Sequence, residues 1–529
     1  MKRMKIRIGT RGSDLALWQA HHVKDRLIAA GADVEIEIFK TQGDKIQHLS
    51  LDKLEGKGFF TKELEEALLS GQIDLAVHSH KDLPTVSPEG LVIAAVSERE
   101  DPSELLIIRK DSLDTQLLLN FKMNAVLGTS SARRKVQIKQ FRADIQLKDI
   151  RGNVPTRINK LRAGDFDAIL LAKAGVERLK LDLNDLFVME LNPMQFIPAP
   201  AQGVLALQIR ESDLELNTFL KQTIHSADVE ASIGVERKLL NLFEGGCHMP
   251  LGAYAIKENN VYKLWAAKAN TDAELPNRLY LESASNSGLA EKALELLNAG
   301  ILKNKKVFIS QERDTDSLLE QQLKIESAQL IAKSGIETNA IPFVFPSEHK
   351  FDFIFFNSRN AVKYFMESNP VISNCKIAAF GSGTAKELLK YNLTVDFIGE
   401  HSDPKKVAAM FNQRYTSAQK IFFPLSQQSL KSVIQHLDAK HQVEVGVVYT
   451  SVSRKDVELE EADLYVFTSP SNVQAFLKGQ ELNGKLFIAI GPSTAEALKA
   501  AGYACHAIAE SADDLGIYHA LYKAQSENK

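Results

Sequence analysis

The sequence predicts an α/β protein of three to five domains. Three observations carry this. Residues 5–27 read as strand, Gly-containing turn and capped helix, and residues 126–134 repeat that pattern. A second α/β series starts at residue 306 and contains an internal repeat with offsets of 111 and 110 residues. The chain has 529 residues, 44% hydrophobic and 25% charged, which is ample for several cores,.

Composition also narrows the function. Formal net charge is -3, so there is no global attraction to nucleic acid or anionic lipid,. Cys247, Cys375 and Cys505 are far apart, odd in number and in no CxxC pair. That argues against a disulfide scaffold or a zinc site and for a reducing compartment. The N-terminus runs into a strand with no apolar signal region,. No apolar run approaches the ~18 residues a membrane span needs. The expectation is a cytoplasmic monomer acting on small molecules, with no nucleic-acid, membrane or metal partner.

The first unit opens with a strand at 5–8, the turn Gly9-Thr10-Arg11-Gly12-Ser13 and a helix over 14–27. Ser and Asp cap such helices. The free N–H groups and positive dipole end suit a carboxylate or phosphate. Arg11 either adds a bidentate contact to such a ligand or is simply solvated. Residues 34–39 form the next strand, and Lys57, flanked by Gly56 and Gly58, precedes a helix over 61–69. Residues 74–78 read as a buried, parallel-type strand ending at Ser79-His80-Lys81-Asp82-Leu83-Pro84. Pro84 stops any helix, which leaves Lys81 and Asp82 in a loop at the carboxyl end of a strand, where α/β sheets bind ligands.

Val126-Leu127-Gly128-Thr129-Ser130-Ser131 repeats the opening pattern, so Gly9-Thr10 and Gly128-Thr129 read as one structural position in two similar domains. Residues 130–162 hold ten basic side chains against two acidic ones, Asp144 and Asp149. A solvated face is one reading of this patch and nucleic acid another, but no helix-turn-helix, zinc finger or RNP motif is present. A small polyanion held between two domains fits better. Residues 167–171 read as a further strand, and Pro198-Ala199-Pro200-Ala201-Gln202-Gly203 as a crossing back toward the first domain.

Glu244-Gly245-Gly246-Cys247-His248-Met249-Pro250-Leu251-Gly252 holds too much Gly and Pro for a helix or central strand, so it is a loop,. Its thiol is either inert, as most free cysteines are, or placed to react.

The motifs IGTRGS, GKGFFTKELE, DLAVHSHKDLP, GTSSARR, IRGNVPTR, PAPAQG and EGGCHMPLG, in this order and spacing, closely resemble hydroxymethylbilane synthase, also called porphobilinogen deaminase. The resemblance covers residues 5 to about 300. It implies two periplasmic-binding-protein-like domains, 1–101 completed by 197–219 and 102–196. A small α/β domain, 220–300, would carry the cysteine loop. It also implies a dipyrromethane cofactor attached through a thioether to Cys247, and Asp82 as the catalytic aspartate. Lys81, Ser13, Thr129, Ser131, Arg133, Arg134 and Gly152 match cofactor-binding positions; Arg11, Lys57, Arg151 and Arg157 match substrate-binding ones. His80 departs from an apolar position and Pro155 from a Gly or Asn. In the implied chemistry, porphobilinogen loses ammonia to give a methylene-pyrrolenine cation, which a carboxylate stabilises. Every pyrrole carries acetate and propionate arms, which explains an arginine cluster in an acidic chain.

Residues 286–299 read as a helix and 301–305 as a short linker. Beyond it, Asp352-Phe353-Ile354-Phe355-Phe356-Asn357-Ser358 answers to Asp463-Leu464-Tyr465-Val466-Phe467-Thr468-Ser469. Residues 377–385 answer likewise to 487–495. Two copies of one fold are implied, with four helix N-termini at carboxyl strand ends suited to carboxylates. No GxGxxG or GxxxxGK[ST] loop is present. The pattern resembles uroporphyrinogen-III synthase over about residues 303–525, which implies two flavodoxin-like parallel domains within 301–529, the inner one about 345–447. Ser358, Thr384, Ser469 and Thr494 fall at the expected substrate-binding turns, and Tyr449 matches a tyrosine proposed to aid hydroxyl loss. Together the two resemblances imply hydroxymethylbilane made from porphobilinogen, then closed to uroporphyrinogen III. The alternative from another class is a cytoplasmic small-anion sensor of periplasmic-binding-protein fold fused to regulatory α/β domains.

Overall fold

Ile6 and Ile8 are fully enclosed while Lys5 is exposed, and this alternation makes Lys5–Arg11 a strand,. Ser13 ends it by capping the helix Asp14–Ala29, its hydroxyl accepting the N–H of Ala16 at 3.4 Å,. The computed structural model describes residues 3–40, 61–115, 117–244, 249–313, 317–373, 375–399, 401–454 and 457–528. The chain divides into two units, Met1–Ala299 and Gly300–Lys529.

Among the described residues, the first unit contains three sheets. One holds, in spatial order, Asp33–Phe39, Lys5–Arg11, Leu75–Ser79, Leu205–Arg210 and Leu91–Val96. The second holds Gln146–Lys148, Val126–Gly128, Ala168–Ala172, Glu104–Arg109 and Leu186–Leu191. Each is mixed. Leu205–Arg210 runs antiparallel to both neighbours, and so does Glu104–Arg109. The strand read as parallel-type, Leu75–Ser79, is therefore parallel only on its Lys5–Arg11 side. The chain crosses between the two sheets at residues 97–103 and again at 192–204.

Gly9 and Gly128 occupy matching places for one reason: close approach of a large apolar side chain. A Cβ on Gly9 would lie 2.3 Å from Ile73 Cδ1, and one on Gly128 would lie 2.8 Å from Phe166 Cδ1. The third sheet is antiparallel, Leu251–Glu258, Val261–Lys268 and Asn277–Ser283, with the helices Ala227–Leu242 and Leu289–Ala299 packed on it. Glu236 of the first of these helices is fully buried and ties that helix to both crossing segments and to the third sheet. Its carboxylate accepts the N–H of Ala201 (2.6 Å), the N–H of Ala255 (2.7 Å) and Arg99 Nη1 (2.6 Å).

Among its described residues, the second unit contains two sheets. Four strands of one are successive pairs of parallel neighbours: Lys306–Ile309, Leu464–Phe467, Leu486–Ala489 and Ala507–Ile508; Gln329–Ala332 flanks the first of them. The other orders Ile336–Ala340, Gln442–Ser453, Lys420–Ser426, Phe353–Phe356, Lys376–Ala379 and Phe397–Ile398, with Ile336–Ala340 as an antiparallel edge. The repeat is visible throughout: Phe353–Phe356, Lys376–Ala379 and Phe397–Ile398 follow one another as do Leu464–Phe467, Leu486–Ala489 and Ala507–Ile508. The helix Arg359–Glu367 buries Val362 and Phe365 against Phe356 and Phe422. Each such fully buried side chain contributes roughly 1.5–3 kcal/mol.

Residues 301–305, read as a linker, are part of this unit. Ile301 and Leu302 are buried, and the N–H of Leu302 donates to Glu326 Oε2 at 2.7 Å. No helix among the described residues is long and apolar enough to cross a membrane.

Candidate active site

Lys81 and Asp82 lie in the single turn His80–Asp82, at the carboxyl end of the strand Leu75–Ser79. Arg237, from the helix Ala227–Leu242, fixes the turn by donating to the carbonyls of His80 (3.0 Å) and Pro84. Asp82 is exposed. Lys81 is partly exposed by area but hemmed in by other residues, and its Nζ donates to Gln202 Oε1 at 3.2 Å. Burial pushes its ammonium down to about 8; Asp82 opposes this, while Arg134 and Arg133 reinforce it.

Those two arginines open the helix Ala132–Phe141, which Ser131 caps through the N–H of Arg134. Both are buried and both reach one carboxylate. Arg133 Nη2 donates to Glu104 Oε1 and Arg134 Nη2 to Glu104 Oε2, each at 2.7 Å. Burial alone would raise the Glu104 carboxyl. Arg134 and Arg133 outweigh that and hold it near 2. Sequence reasoning missed Glu104, although a lone acid opening the apolar strand Glu104–Arg109 needs a buried cation.

Arg151 and Arg157 flank the start of the helix Val154–Arg162, capped by Asn153. Gly152 has φ +113, and a Cβ there would lie 2.5 Å from Thr156 Cγ2,. Its carbonyl accepts Arg157 Nε at 2.8 Å. Burial pushes Arg157 down to about 10, with Arg134 and Arg151 adding repulsion and Asp82 opposing it. Lys81 thus lies within electrostatic reach of Arg133 and Arg134, Asp82 within that of Arg157, and Arg157 within that of Arg134 and Arg151.

The remaining positions are less convergent. Ser13 is engaged as a helix cap, and buried Thr129 accepts the N–H of Ser131 at 3.3 Å. Arg11 ends its strand and helps lower buried His78, which desolvation brings to about 4. His80, the departure noted in the sequence, is buried, its Nδ1 has no hydrogen-bond partner among the described residues, and burial pushes it to about 3. Arg237 and His78 push the same way, so the ring is neutral. Lys57 and Cys247 lie outside the described residues.

A polycarboxylate fits this site. Arg134 Nε and Arg151 Nη2 are buried without a hydrogen-bond partner among the described residues. Lys81 and Arg157 are both held below their ordinary values. Carboxylates would satisfy the orphaned N–H groups and raise both cations back toward their ordinary values.

In the second unit, Tyr449 is buried and its hydroxyl lies 3.2 Å from that of Ser358. Ser358 caps the helix Arg359–Glu367 through the N–H of Ala361, and Ser469 caps Pro470–Leu477 through the N–H of Asn472. Buried Thr384 and Thr494 sit in the first turns of Ser382–Leu389 and Pro492–Ala500, whose caps, Gly381 and Gly491, offer no side chain. Each repeat copy therefore pairs one Ser-capped helix with one Gly-capped helix. Burial pushes the Tyr449 phenol up, against hydrogen bonds from Ser358 and Ser426.

Comparison with known proteins identifies both halves. Residues 6–218 match the family model for porphobilinogen deaminase, dipyromethane cofactor binding domain. Residues 317–518 match uroporphyrinogen-III synthase HemD. Porphobilinogen deaminase of Nitratiruptor sp. is 45% identical over 258 residues, covering 49% of this chain and 81% of the relative. That of Oceanobacillus iheyensis is 42% identical over 295 residues, covering 55% and 94%. A mutant uroporphyrinogen III synthase from Thermus thermophilus aligns with 14% identity and a TM-score of 0.30, over 42% of this chain and 99% of that one. The anion-sensor alternative finds no support among the family matches. The chain belongs to the porphobilinogen deaminase family, and its second unit carries a uroporphyrinogen-III synthase HemD domain.

Proposed function

We propose that the first unit joins four porphobilinogen molecules head to tail with release of ammonia, and that the second closes the resulting hydroxymethylbilane to uroporphyrinogen III with inversion of the last ring and loss of water. The observation that supports this best is the convergence of Lys81, Arg134, Arg151 and Arg157, two with orphaned N–H groups, beside the exposed carboxylate of Asp82.

The dipyrromethane cofactor, held through Cys247, supplies the pyrrole end onto which the chain grows. The cationic side chains bind the acetate and propionate arms. Asp82 stabilises the positive charge that develops on each incoming pyrrole as ammonia leaves, a contribution that preorganised charge makes without reorganisation. Glu104 holds Arg133 and Arg134 in place, one on each carboxylate oxygen. In the second unit, Tyr449 donates its proton to the departing hydroxyl, while Ser358, Thr384, Ser469 and Thr494 present helix N-termini to carboxylates.

The domain division read from the sequence, 1–101 with 197–219, 102–196, 220–300 and 301–529, is part of this proposal. The grouping of strands into sheets supports it.

An intact-mass measurement tests the reading. The chain should carry a fixed mass increment for two pyrrole rings, and Cys247→Ser should fold without it and lose porphobilinogen consumption. Normal cofactor content and turnover in Cys247→Ser would refute the assignment.

A further inference from the structure

The strand Lys420–Ser426 pairs in parallel with Gln442–Ser453 in regular register until its last residue. There the register slips: Leu425 faces Val447, but Ser426 faces Tyr449, skipping Val448. Such irregularities re-aim a side chain. This one is fastened on both sides. The N–H of Gln427 donates to the Tyr449 carbonyl at 2.8 Å. The Gln428 amide donates to Thr450 Oγ1 at 2.8 Å and accepts the N–H of Ser451 at 3.1 Å.

The slip brings Ser426 directly opposite Tyr449, and its hydroxyl works against the upward push that burial gives the phenol. On the other side is Ser358, whose oxygen already accepts the N–H of Ala361 at 3.1 Å. Tyr364 stacks on the Tyr449 ring, 5.4 Å between centroids at 23°. It is itself held by Thr338, whose hydroxyl lies 2.9 Å away. The phenol is thus packed on one face, meets one hydroxyl at its oxygen and has Ser426 opposite it on the neighbouring strand.

We infer that Ser426 and Ser358 form a two-hydroxyl cradle for the Tyr449 oxygen, with Ser426 a positioning residue for ring closure that acts through Tyr449. The inference rests on the reading of Tyr449 as proton donor. A hydroxyl carries one donor hydrogen and two lone pairs. The resting phenol gives its hydrogen to one acceptor. As the substrate's C–O bond breaks, the electron pair goes to oxygen, the Tyr449 proton joins it, and water leaves. Both serines then donate to the phenolate, which burial would otherwise penalise. The new carbon–carbon bond releases a proton from the attacked pyrrole carbon, and the phenolate takes it back.

The test uses the full-length chain and hydroxymethylbilane as substrate. Ser426→Ala should lower kcat for type III formation roughly 10- to 100-fold, as loss of a hydrogen bond to a charged group does, with KM unchanged. Ser426→Thr, which keeps the hydroxyl, should recover most of that rate. Porphobilinogen consumption and the melting temperature should match wild type in both. If Ser426→Ala melts early, Ser426→Cys keeps the volume and weakens the donor, so the same fall in kcat is expected. Wild-type kcat in Ser426→Ala beside an inactive Tyr449→Phe would overturn the cradle alone. Full activity in Tyr449→Phe would overturn the reading beneath it.

Discussion

Glu104 is the residue on which the cationic cluster depends. Its fully enclosed carboxylate serves two guanidinium groups at once. Removing one partner of a buried ion pair leaves charge uncompensated, so Glu104→Ala should cost about 3–5 kcal/mol in chemical denaturation. The sign of the pH effect follows from the carboxyl value near 2 in the folded chain against an ordinary 4.5. The unfolded chain binds the proton first. This stabilisation is complete above about pH 4.5 and is lost as pH falls toward 2, which unfolding midpoints across that window would record. Lys81 behaves oppositely in function. Its ammonium, lowered to about 8, is lost as pH rises past that value. Carboxylates held in the loaded enzyme raise that value, so porphobilinogen turnover should fall only above pH 8, and Lys81→Arg should move that limb further up; an unmoved limb assigns it to another group. Asp82→Asn, which keeps shape and removes charge, should cost roughly 10²–10³-fold in kcat. Lys81, Asp82, Arg133, Arg134, Arg151 and Arg157 could be singled out in the sequence because they sit in dense local motifs. Glu104, Gln202 and Arg237 could not, since each reaches the site from a distant segment.

Among elements, one device recurs five times in the described residues. Asp396 uses it with Ile377 ahead of the two-residue strand Phe397–Ile398. Asp74, Asp167, Asp352 and Asp463 each precede a longer buried strand. Each donates its N–H to the carbonyl of one residue on the neighbouring strand and accepts that residue's N–H in its carboxylate: Arg7, Val126, Lys420 and Lys306 respectively. The paired bonds fix parallel register at the strand start. Their value should follow exposure. Asp167, with 14% of its side chain exposed, should cost about 1–3 kcal/mol on replacement by Ala,. Asp463, at 40%, should cost nearer 1, because water replaces the carboxylate,; equal losses in denaturant titrations would contradict this. The apolar run behind each Asp made these strands and the repeat legible. Direction was not: the buried strand Leu205–Arg210 has the same pattern whether parallel or antiparallel, because both faces are covered,. The slip at Ser426 left no local mark either. Residues 301–305 read as a linker because Lys303, Asn304 and Lys305 are polar, yet Leu302 is anchored by Glu326, some twenty residues on.

At the scale of the molecule, two enzymes share one chain. Covalent linkage raises the effective concentration of the second for the first one's product. Free hydroxymethylbilane closes without ring inversion to the type I isomer, so the isomer formed reports whether the second unit acted. The place to divide the chain follows from the anchored segment: a second fragment starting at residue 303 would strip Glu326 of the Leu302 N–H, whereas a cut after Ala299 leaves that bond intact. The most direct measurement is the isomer ratio of uroporphyrinogen made from porphobilinogen by the full chain, by residues 1–299 alone, and by 1–299 with 300–529 added. The full chain should give type III, residues 1–299 alone mainly type I, and the mixture type III again. Type III from residues 1–299 alone, or type I from the full chain, would contradict the assignment of two successive activities to the two units.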